Sequence, residues 1–152
     1  MKVQFEIQGK VKAKQSVKFT NNGIKYTPSD IKEYANWVRL CFMSKHPAWN
    51  IQNFADKPLK AVIDVYMPIP KSFSRKKYEQ ALKGEIRPIV KPDCDNIAKN
   101  IDDALNGIVY PDDKQITSLT VNKFYSDKEF VLVTITDERN LKWEEEICQK
   151  IA

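Results

Sequence analysis

The segment that decides the fold reads Lys91-Pro-Asp-Cys-Asp-Asn-Ile-Ala-Lys-Asn-Ile-Asp-Asp-Ala-Leu-Asn-Gly107. Pro92 keeps the start of this segment extended. From Asn96 to Leu105 apolar residues recur at helical spacing, and Gly107 can end the helix. The apolar stripe consists of Ile97, Ala98, Ile101, Ala104 and Leu105. The segment therefore predicts one amphipathic helix that packs its apolar side on the rest of the domain.

On both sides of this helix, alternating apolar and β-branched residues predict strands. The predicted strands cover residues 3–7, 61–67, 115–125 and 130–137, with a turn at 126–129. Two further helices are expected: one opens at Thr27-Pro28-Ser29-Asp30 and fades before Pro47, and a shorter one starts after Ser74 and ends at Gly84. The tail 138–152 has helical spacing as well.

The resulting order is β–α–β–α–α–β–β, with one more helix in the tail. This order predicts a mixed α/β (α+β) fold: a single domain spanning 1–152, with one mixed β-sheet of about four strands and helices packed mainly on one face.

Composition narrows the class of protein. The chain has 152 residues, 42% of them hydrophobic, which suits one domain with a real core. No apolar run approaches the length of a membrane span, and residues 1–10 contain no secretory apolar region, so we expect an intracellular protein without a membrane partner. The cysteines are far apart and His46 is the sole histidine, which argues against a disulfide framework or a zinc site.

Acidic side chains gather at the start and along one side of the central helix. Asp93 and Asp95 are two residues apart in an extended entry, so both carboxylates can point to one side. Asp95, Lys99 and Asp103 follow at intervals of four, which places them on one helical stripe away from the apolar residues.

A second acidic element, Asp112-Asp113, stands at the start of the predicted strand 115–125. Helix and strand are neighbours in a compact fold, so one of these carboxylates can reach the first acidic pair. Three carboxylates around one point repel each other unless a cation neutralises them. Magnesium prefers such oxygen ligands and can activate water against a phosphoryl group, and Lys99 can add positive charge in the transition state.

Each of these residues also has an ordinary structural interpretation. Asp95 can cap the helix and Asp93 can be solvated. Asp112-Asp113 can form a turn, and Lys99 can form simple ion pairs along the helix. The combination favours a metal site, because the acids flank one apolar helix in a protein with a net charge of +5.

Basic residues cluster in two places outside the acidic segment. The excess of Lys and Arg over Asp and Glu, 25 against 20, indicates a polyanionic partner only weakly. Lys10, Lys12 and Lys14 alternate after the first strand and are either a solvated edge or a contact to phosphates. Arg75-Lys76-Lys77 occupy the first turn of the second helix, where positive charge opposes the helix dipole, which hints at an anionic ligand.

The acidic segment resembles the signature of the RusA family of Holliday junction resolvases, which are common in bacteriophages and prophages. The resemblance lies in the runs Lys-Pro-Asp-Cys-Asp-Asn-Ile-Ala-Lys, Asp-Ala-Leu-Asn-Gly and Asp-Asp-Lys-Gln-Ile. The runs Gly23-Ile-Lys-Tyr-Thr-Pro28, Pro70-Lys-Ser-Phe-Ser-Arg-Lys-Lys and Gly84-Glu-Ile-Arg-Pro88 are also similar to family segments, so the likeness covers about residues 1–137.

The resemblance implies a homodimeric endonuclease that cuts four-way DNA junctions by paired nicks. It implies magnesium as the cofactor, with manganese as an alternative ion, and a bacterial cytoplasmic location. It assigns catalytic roles to Asp93, Asp95, Lys99 and Asp113. The three aspartates of that set would bind the metal, whereas Asp103 and Asp112 are expected beside the ligands.

At the basic residues before the first motif aspartate, the chain departs from some family members. Those members have an arginine cluster, whereas this chain has Lys91-Pro92. We assign Arg87 and Lys91 to the DNA-binding surface together with the two basic clusters. For the dimer interface, Phe73 and Trp49 are candidate exposed aromatics.

The sequence also allows two functions other than that of a resolvase. One is a phosphohydrolase with an Asp-x-Asp nucleophile, in which the pair ends a buried apolar strand; here the pair follows prolines and begins a helix. The other is a basic DNA-binding module without catalysis, which would bind junctions but not cut them.

Overall fold

A four-stranded mixed sheet organises the part of the chain that the computed structural model describes, residues 1–13, 18–19, 22–23, 25–26 and 29–140. Its strands are β1 (Lys2–Gln8), β4 (Leu59–Pro68), β5 (Ile116–Ser126) and β6 (Phe130–Asp137). A separate two-stranded ladder pairs β2 (Lys18–Phe19) with β3 (Lys25–Tyr26). The helices are α1 (Ser29–Lys45), α2 (Arg75–Leu82) and α3 (Cys94–Leu105). The predicted fold class is confirmed.

Strand order in the sheet is β1-β6-β4-β5. β6 pairs antiparallel with both β1 and β4, whereas β4 and β5 are parallel. β5 and β6 follow each other along the chain, yet β4 lies between them, so the turn at 127–129 crosses over the end of β4 rather than closing a hairpin. Parallel pairing of β4 with β5 requires a long crossover, and this crossover contains α2 and α3.

The core lies between one face of the sheet and the helices. Every second residue of β1 and β6 is buried, and so is every second residue of β4 from Leu59 to Val65, as the period-two pattern predicts. α1 packs against β1 and α3, and α3 also packs against β5. The α3 contribution to this core is Ile97, Ala98, Ile101, Ala104 and Leu105, the stripe expected from the sequence.

The opposite face of the sheet carries a row of stacked aromatic rings. Tyr66 on β4 lies 4.4 Å from Phe130 on β6 and 5.4 Å from Phe124 on β5, centroid to centroid. These rings are half-buried. Helices therefore cover mainly one face, as predicted, and the other face is closed in part by its own side chains.

Helix boundaries agree with the sequence except at α3. It begins at Cys94, two residues before the predicted start, because Asp93 is extended (φ −74°, ψ 148°) and the helix can begin directly after it. The cap of α2 is confirmed: the Ser74 hydroxyl accepts a hydrogen bond from the Lys77 N–H at 3.3 Å.

Several predictions fall partly or wholly on residues that the structure does not describe. Lys14, the helix-opening pair Thr27-Pro28 and the tail from 141 to 152 lie outside the described residues. Of the predicted tail helix, only Glu138–Asn140 is described, as a short 3₁₀ turn. The β2–β3 ladder was not predicted, because two paired residues in each strand leave no detectable periodicity.

Candidate functional site

The N-terminus of α3 presents two exposed carboxylates. Asp93 holds the position that precedes the first helical residue, where aspartate usually accepts a hydrogen bond from the helix backbone. It makes no such bond, and its side chain is exposed. Asp95 lies in the first helical turn and is also exposed. Both members of the predicted pair therefore lie at the positive end of a helix, a favourable place for negative charge.

Lys99 lies one helical turn beyond Asp95, on the solvent side of α3. It is exposed, whereas Ile97 and Ala98 beside it are buried in the core. The burial of the apolar stripe fixes the rotation of the helix and thereby orients the polar stripe outward. Asp95 and Lys99 thus share an accessible surface, as the spacing of four predicts.

Asp112 and Asp113 have different tasks in a short 3₁₀ turn, Asp113–Gln115. Asp112 caps the turn: its Oδ1 accepts a hydrogen bond from the Lys114 N–H at 3.0 Å, and the Gln115 side chain accepts one from the Asp112 N–H at 3.3 Å. This hydrogen bonding to Lys114 lowers the pKa of Asp112. Asp113 is exposed and begins the turn, whereas Asp112, although its side chain is 44% exposed, caps the turn and pairs with Lys114.

Asp102, on α3, was missed by the sequence analysis. Burial, and then the charges of Asp113 and Asp103, raise the pKa of Asp102 to about 6. Its Oδ1 is buried and has no hydrogen-bond partner among the described residues. The signal in the sequence was its separation from Asp95: seven residues make two helical turns and place both on one side of α3.

Tyr110 is packed close to Asp102, in the C-terminal half of α3. Its side chain is fully buried, and its hydroxyl donates a hydrogen bond to the Asp102 backbone carbonyl at 3.4 Å. Burial, and then the charges of Asp102 and Asp113, raise the pKa of Tyr110, so the phenol stays protonated. The charge of Asp113 thus acts on Asp102, in the C-terminal half of α3, and on Tyr110.

The carboxylate oxygens of the predicted aspartates are suitable ligands for a hard divalent cation. They are not assembled into a group of three ligands among the described residues. Within the described ranges, no group of three or more His, Cys, Asp or Glu side chains is placed so that it could hold a metal ion. Magnesium is often bound by only one or two carboxylates together with substrate phosphate. Asp93 and Asp95 can supply those two carboxylates.

The basic segment after β1 is tied to α3. Asn100 is buried on α3, and its side chain donates a hydrogen bond to the Lys12 carbonyl at 2.8 Å. Lys12 and Lys10 are exposed, on either side of the buried Val11. Lys10 also lines a cavity together with Lys91, two residues before Asp93. Two of the three predicted lysines therefore lie beside the acidic segment; they do not form a strand.

Arg87 and Lys91 occupy an irregular segment that leads into α3. Both are exposed. The Arg87 guanidinium lies over the Phe124 ring, 4.0 Å from its centroid, and its Nε donates to the Lys123 carbonyl at 2.5 Å. Lys123, which the sequence analysis missed, donates from its Nζ to the Pro92 carbonyl at 3.0 Å. A lysine inside a strand gives no sequence signal for such a long-range contact.

The basic cluster on α2 faces solvent. Arg75, Lys76 and Lys77 are exposed in the first helical turn. Arg75 forms an exposed ion pair with Glu79 at 3.6 Å, and Lys77 lies 4.1 Å from the centroid of the Phe73 ring. The cluster remains a candidate for phosphate contact.

Neither aromatic proposed for a dimer interface is simply exposed. Phe73 is half-buried and packs edge-on against Tyr125, with centroids 5.6 Å apart. Trp49 donates from its indole to the Val109 carbonyl at 3.1 Å and packs against Phe54. The expected full exposure of these two rings is therefore wrong, because each packs in part within the chain, whereas their place in a dimer interface stays a prediction. His46 likewise serves structure: its Nε2 lies 3.0 Å from the Gln4 carbonyl oxygen.

Comparison with known proteins identifies the family. No helix in the described part of the chain has the length and apolar character needed to cross a bilayer. The protein named "Uncharacterized protein YqaN" of Bacillus subtilis (strain 168) is 39% identical over 112 residues, which span 72% of this chain and 76% of that protein. The family model described as "Endodeoxyribonuclease RusA" matches residues 7–136, a range that contains β4, β5, the three helices and both acidic elements. The chain belongs to the RusA family of endodeoxyribonucleases.

Proposed function

We propose that this protein resolves four-way DNA junctions by paired, symmetric nicks in a magnesium-dependent reaction. Family membership makes it an endodeoxyribonuclease and implies Holliday junction resolvase activity. Nucleases of this family generally need a divalent metal. We further propose the identity of the ion, the residues that bind it and the pairing of the nicks.

The observation that carries this proposal is the unused cap at Asp93. A capping hydrogen bond from this position would stabilise the helix by about 1 kcal/mol. Asp112 makes the equivalent bond at its own turn, but Asp93 leaves its carboxylate exposed next to Asp95. A carboxylate that forgoes a local hydrogen bond at a helix entry is available to a ligand.

Asp93 and Asp95 are the proposed carboxylate ligands of the ion, with Asp113 as a third ligand from the other acidic element. When bound, a divalent metal can lower the pKa of a water molecule and stabilise charge on a phosphoryl oxygen. Without a cation, mutual repulsion opposes close approach of three carboxylates, so we propose that the ion itself draws Asp113 to the pair. Manganese, which accepts the same oxygen ligands, is expected to replace magnesium.

Other residues near the acidic pair act on the DNA rather than on the metal. Lys99 is one turn from Asp95 and is proposed to stabilise charge on the scissile phosphate. Four exposed cations are proposed to bind backbone phosphates. Lys10 and Lys91 line one cavity, Lys12 is tied to α3 through Asn100, and Arg87 lies in the segment that leads into α3. Asp112 stabilises the turn that carries Asp113. Asp103, on α3, is proposed to lie beside the metal ligands.

The alternatives considered from sequence are not favoured. In a phosphohydrolase with an Asp-x-Asp nucleophile the pair follows a buried strand, whereas Asp93 and Asp95 begin a helix after an irregular segment. A DNA-binding module without catalysis conflicts with membership of an endodeoxyribonuclease family.

Paired nicks imply a symmetric dimer. A four-way junction has approximate twofold symmetry, and two opposed strands must be cut. The chain carries one set of motif aspartates and no internal repeat, so two copies related by a twofold axis would supply both sites. We further propose that the dimer acts in the bacterial cytoplasm on host or phage DNA.

The decisive experiment uses a four-way junction labelled on all strands in turn. With magnesium or manganese we expect two nicks in opposed strands at related positions, and no product with EDTA. Binding without nicks under all metal conditions would contradict a catalytic role. Mixing active protein with excess Asp95→Asn protein tests the dimer, since heterodimers should nick one strand without resolving the junction.

A further inference from the structure

The segment from Arg87 to Lys91 carries the most exposed apolar side chain of the described residues. Ile89 is 96% exposed, whereas the other large exposed apolar side chains lie between 39% and 56%. Val90, the next residue, is 53% exposed. Single exposed apolar residues are common on protein surfaces, but complete exposure of an isoleucine beside a second apolar residue is not accounted for by packing. We call residues 89–90 the apolar tip.

The base of the apolar tip is held in place from the sheet. The Lys123 ammonium donates to the Val90 carbonyl and to the Pro92 carbonyl, and Arg87 donates to the carbonyl of Lys123. Arg87 is itself stacked on Phe124. The backbone after Ile89 is therefore held by the Lys123 side chain of β5, and before Ile89 the Arg87 side chain contacts the same strand, while Ile89 itself projects into solvent. A projection anchored in this way loses little further conformational freedom on binding.

The surroundings of the tip are cationic and aromatic. Arg87 and Lys91 flank it in sequence and are exposed. Val90 also lines a cavity of about 250 Å³, whose aromatic walls are Tyr66 and Tyr125 and whose charged residues are two lysines, Lys10 and Lys91, and one acid, Glu129. Aromatic and apolar walls suit the face of a base, and lysines suit phosphates. Val90, in the wall of this cavity, lies three residues before Asp93 in the sequence.

We propose that the apolar tip is a wedge that inserts between unstacked bases at the branch point of the junction, next to the strand to be cut. This inference rests on the proposed function, because it needs a branched DNA substrate. Apolar side chains that separate a base step are a known device of DNA-binding proteins, and isoleucine is among the residues used. The energy needed to unstack bases is smallest where pairing or stacking is already disturbed, as at a branch point.

A second copy of the chain is the competing occupant of this surface. Two copies meeting at their tips would bring Arg87 and Lys91 of one subunit close to the same residues of the other, and like charges disfavour such contact. DNA phosphates neutralise the same cations. Charge complementarity therefore favours DNA.

The test compares Ile89→Gln with a matched control, Met43→Gln. Met43 is 55% exposed on α1 and lies outside the proposed site, so the control introduces the same polar side chain elsewhere. Ile89→Leu keeps an apolar tip. Since Ile89 contributes almost nothing to the core, all variants should fold, and a thermal melt checks this.

Binding is measured in EDTA to a junction that carries 2-aminopurine at the branch point, and to a duplex of the same sequence. We expect wild-type protein to increase 2-aminopurine fluorescence by unstacking it. Ile89→Gln should lose that increase and about tenfold in junction affinity, with duplex affinity unchanged. Ile89→Leu and Met43→Gln should behave like wild type.

Each other result overturns the proposal. An unchanged fluorescence response and junction affinity for Ile89→Gln excludes a wedge. Equal loss of duplex affinity means a general DNA contact. A weakened dimer in light scattering assigns the tip to an interface between copies. If wild-type protein resolves the junction and Ile89→Gln does so equally well, only the wedge fails; if wild-type protein neither binds nor cuts junctions, the proposed function fails with it.

Discussion

Two largely buried carboxylates in this protein are treated in opposite ways. Asp137, at the end of β6, has a side chain that is 3% exposed and is neutralised by Arg139, at 3.0 Å, and by Lys57, at 3.5 Å. Hydrogen bonds from Arg139 hold the pKa of Asp137 well below its usual range. Asp102 on α3 has a buried oxygen without a partner among the described residues, and its pKa is raised to about 6.

The difference separates an acid that is neutralised within the fold from an acid whose charge is opposed by burial and by neighbouring carboxylates. At Asp137, Arg139 lies two residues further along the chain and Lys57 lies beside the carboxylate, so the negative charge is balanced. Around α3, Asp102 and Asp113 repel each other, although the protein as a whole carries excess positive charge. Perturbed carboxylates next to exposed ones are a mark of a functional site.

The largest expected effect is on catalysis. Asp93→Asn and Asp95→Asn should each lower the cleavage rate by at least about 10²-fold, the scale seen when a transition state loses one electrostatic stabiliser. Junction affinity should stay the same or rise, because repulsion of DNA phosphates is reduced. Single-turnover cleavage and a binding titration in EDTA measure the two effects. If both variants lose binding in proportion to cleavage, these acids serve the fold and the contrast with Asp137 disappears.

Asp112 and Asp113 should differ although they are adjacent. Asp113→Asn is expected to abolish cleavage, whereas Asp112→Asn should retain most of it, because Asp112 acts through hydrogen bonds within its turn. Asparagine can still accept the bond from Lys114. Cleavage assays on the two variants decide the matter: an active Asp113→Asn beside an inactive Asp112→Asn would reverse the assignment.

At Asp137 the expected effect is on stability. Asp137→Asn should lower the free energy of unfolding at pH 7 by about 1–2 kcal/mol through loss of charge-assisted hydrogen bonds. The folded-state pKa is depressed, so this stabilisation is present above about pH 4, the unfolded value, and is lost as the pH falls below it. Urea unfolding at pH 7 and pH 3 tests the sign. A deficit that stays constant with pH would exclude an ionic origin.

Asp102 should show the opposite sign. Its folded-state pKa is raised to about 6, so the wild-type protein loses stability relative to the variant as pH rises from about 4 to about 6. Asp102→Asn should therefore raise the free energy of unfolding by about 1–2 kcal/mol at pH 8, with little change at pH 4. The measurement is urea unfolding in EDTA. Lower stability of the variant at pH 8 would mean that the buried carboxylate is satisfied after all.

The smallest expected effect concerns the exposed cations of α2. Replacing Arg75, Lys76 and Lys77 together with alanine should weaken junction binding and reduce the slope of log affinity against log salt, because fewer counterions are released. Salt titrations of binding measure this slope. An identical slope would return the cluster to a solvated surface without a role in binding DNA.

Much of this site could be predicted because its motif is local. Asp93, Asp95 and Lys99 lie within one short segment, so helical periodicity alone places them on one accessible side. The unused cap at Asp93 could not be predicted, since an aspartate at a helix entry has the same sequence signal whether or not it caps. The repulsion between Asp102 and Asp113 could not be predicted either, because it depends on where the turn at 112–113 lies relative to α3 in the folded chain.

The sequence by itself determined the mixed α/β class, the inward faces of the strands and the amphipathic helix that carries the acids. These features follow from side-chain periods of 2 and 3.6 residues, which are properties of neighbouring residues. Only the tertiary structure decided that β4 separates β5 from β6, that Asn100 ties Lys12 to α3, and that Lys123 anchors the apolar tip. These contacts join residues far apart in the chain, and long-range pairing depends on the packing of the whole core, which no local pattern records.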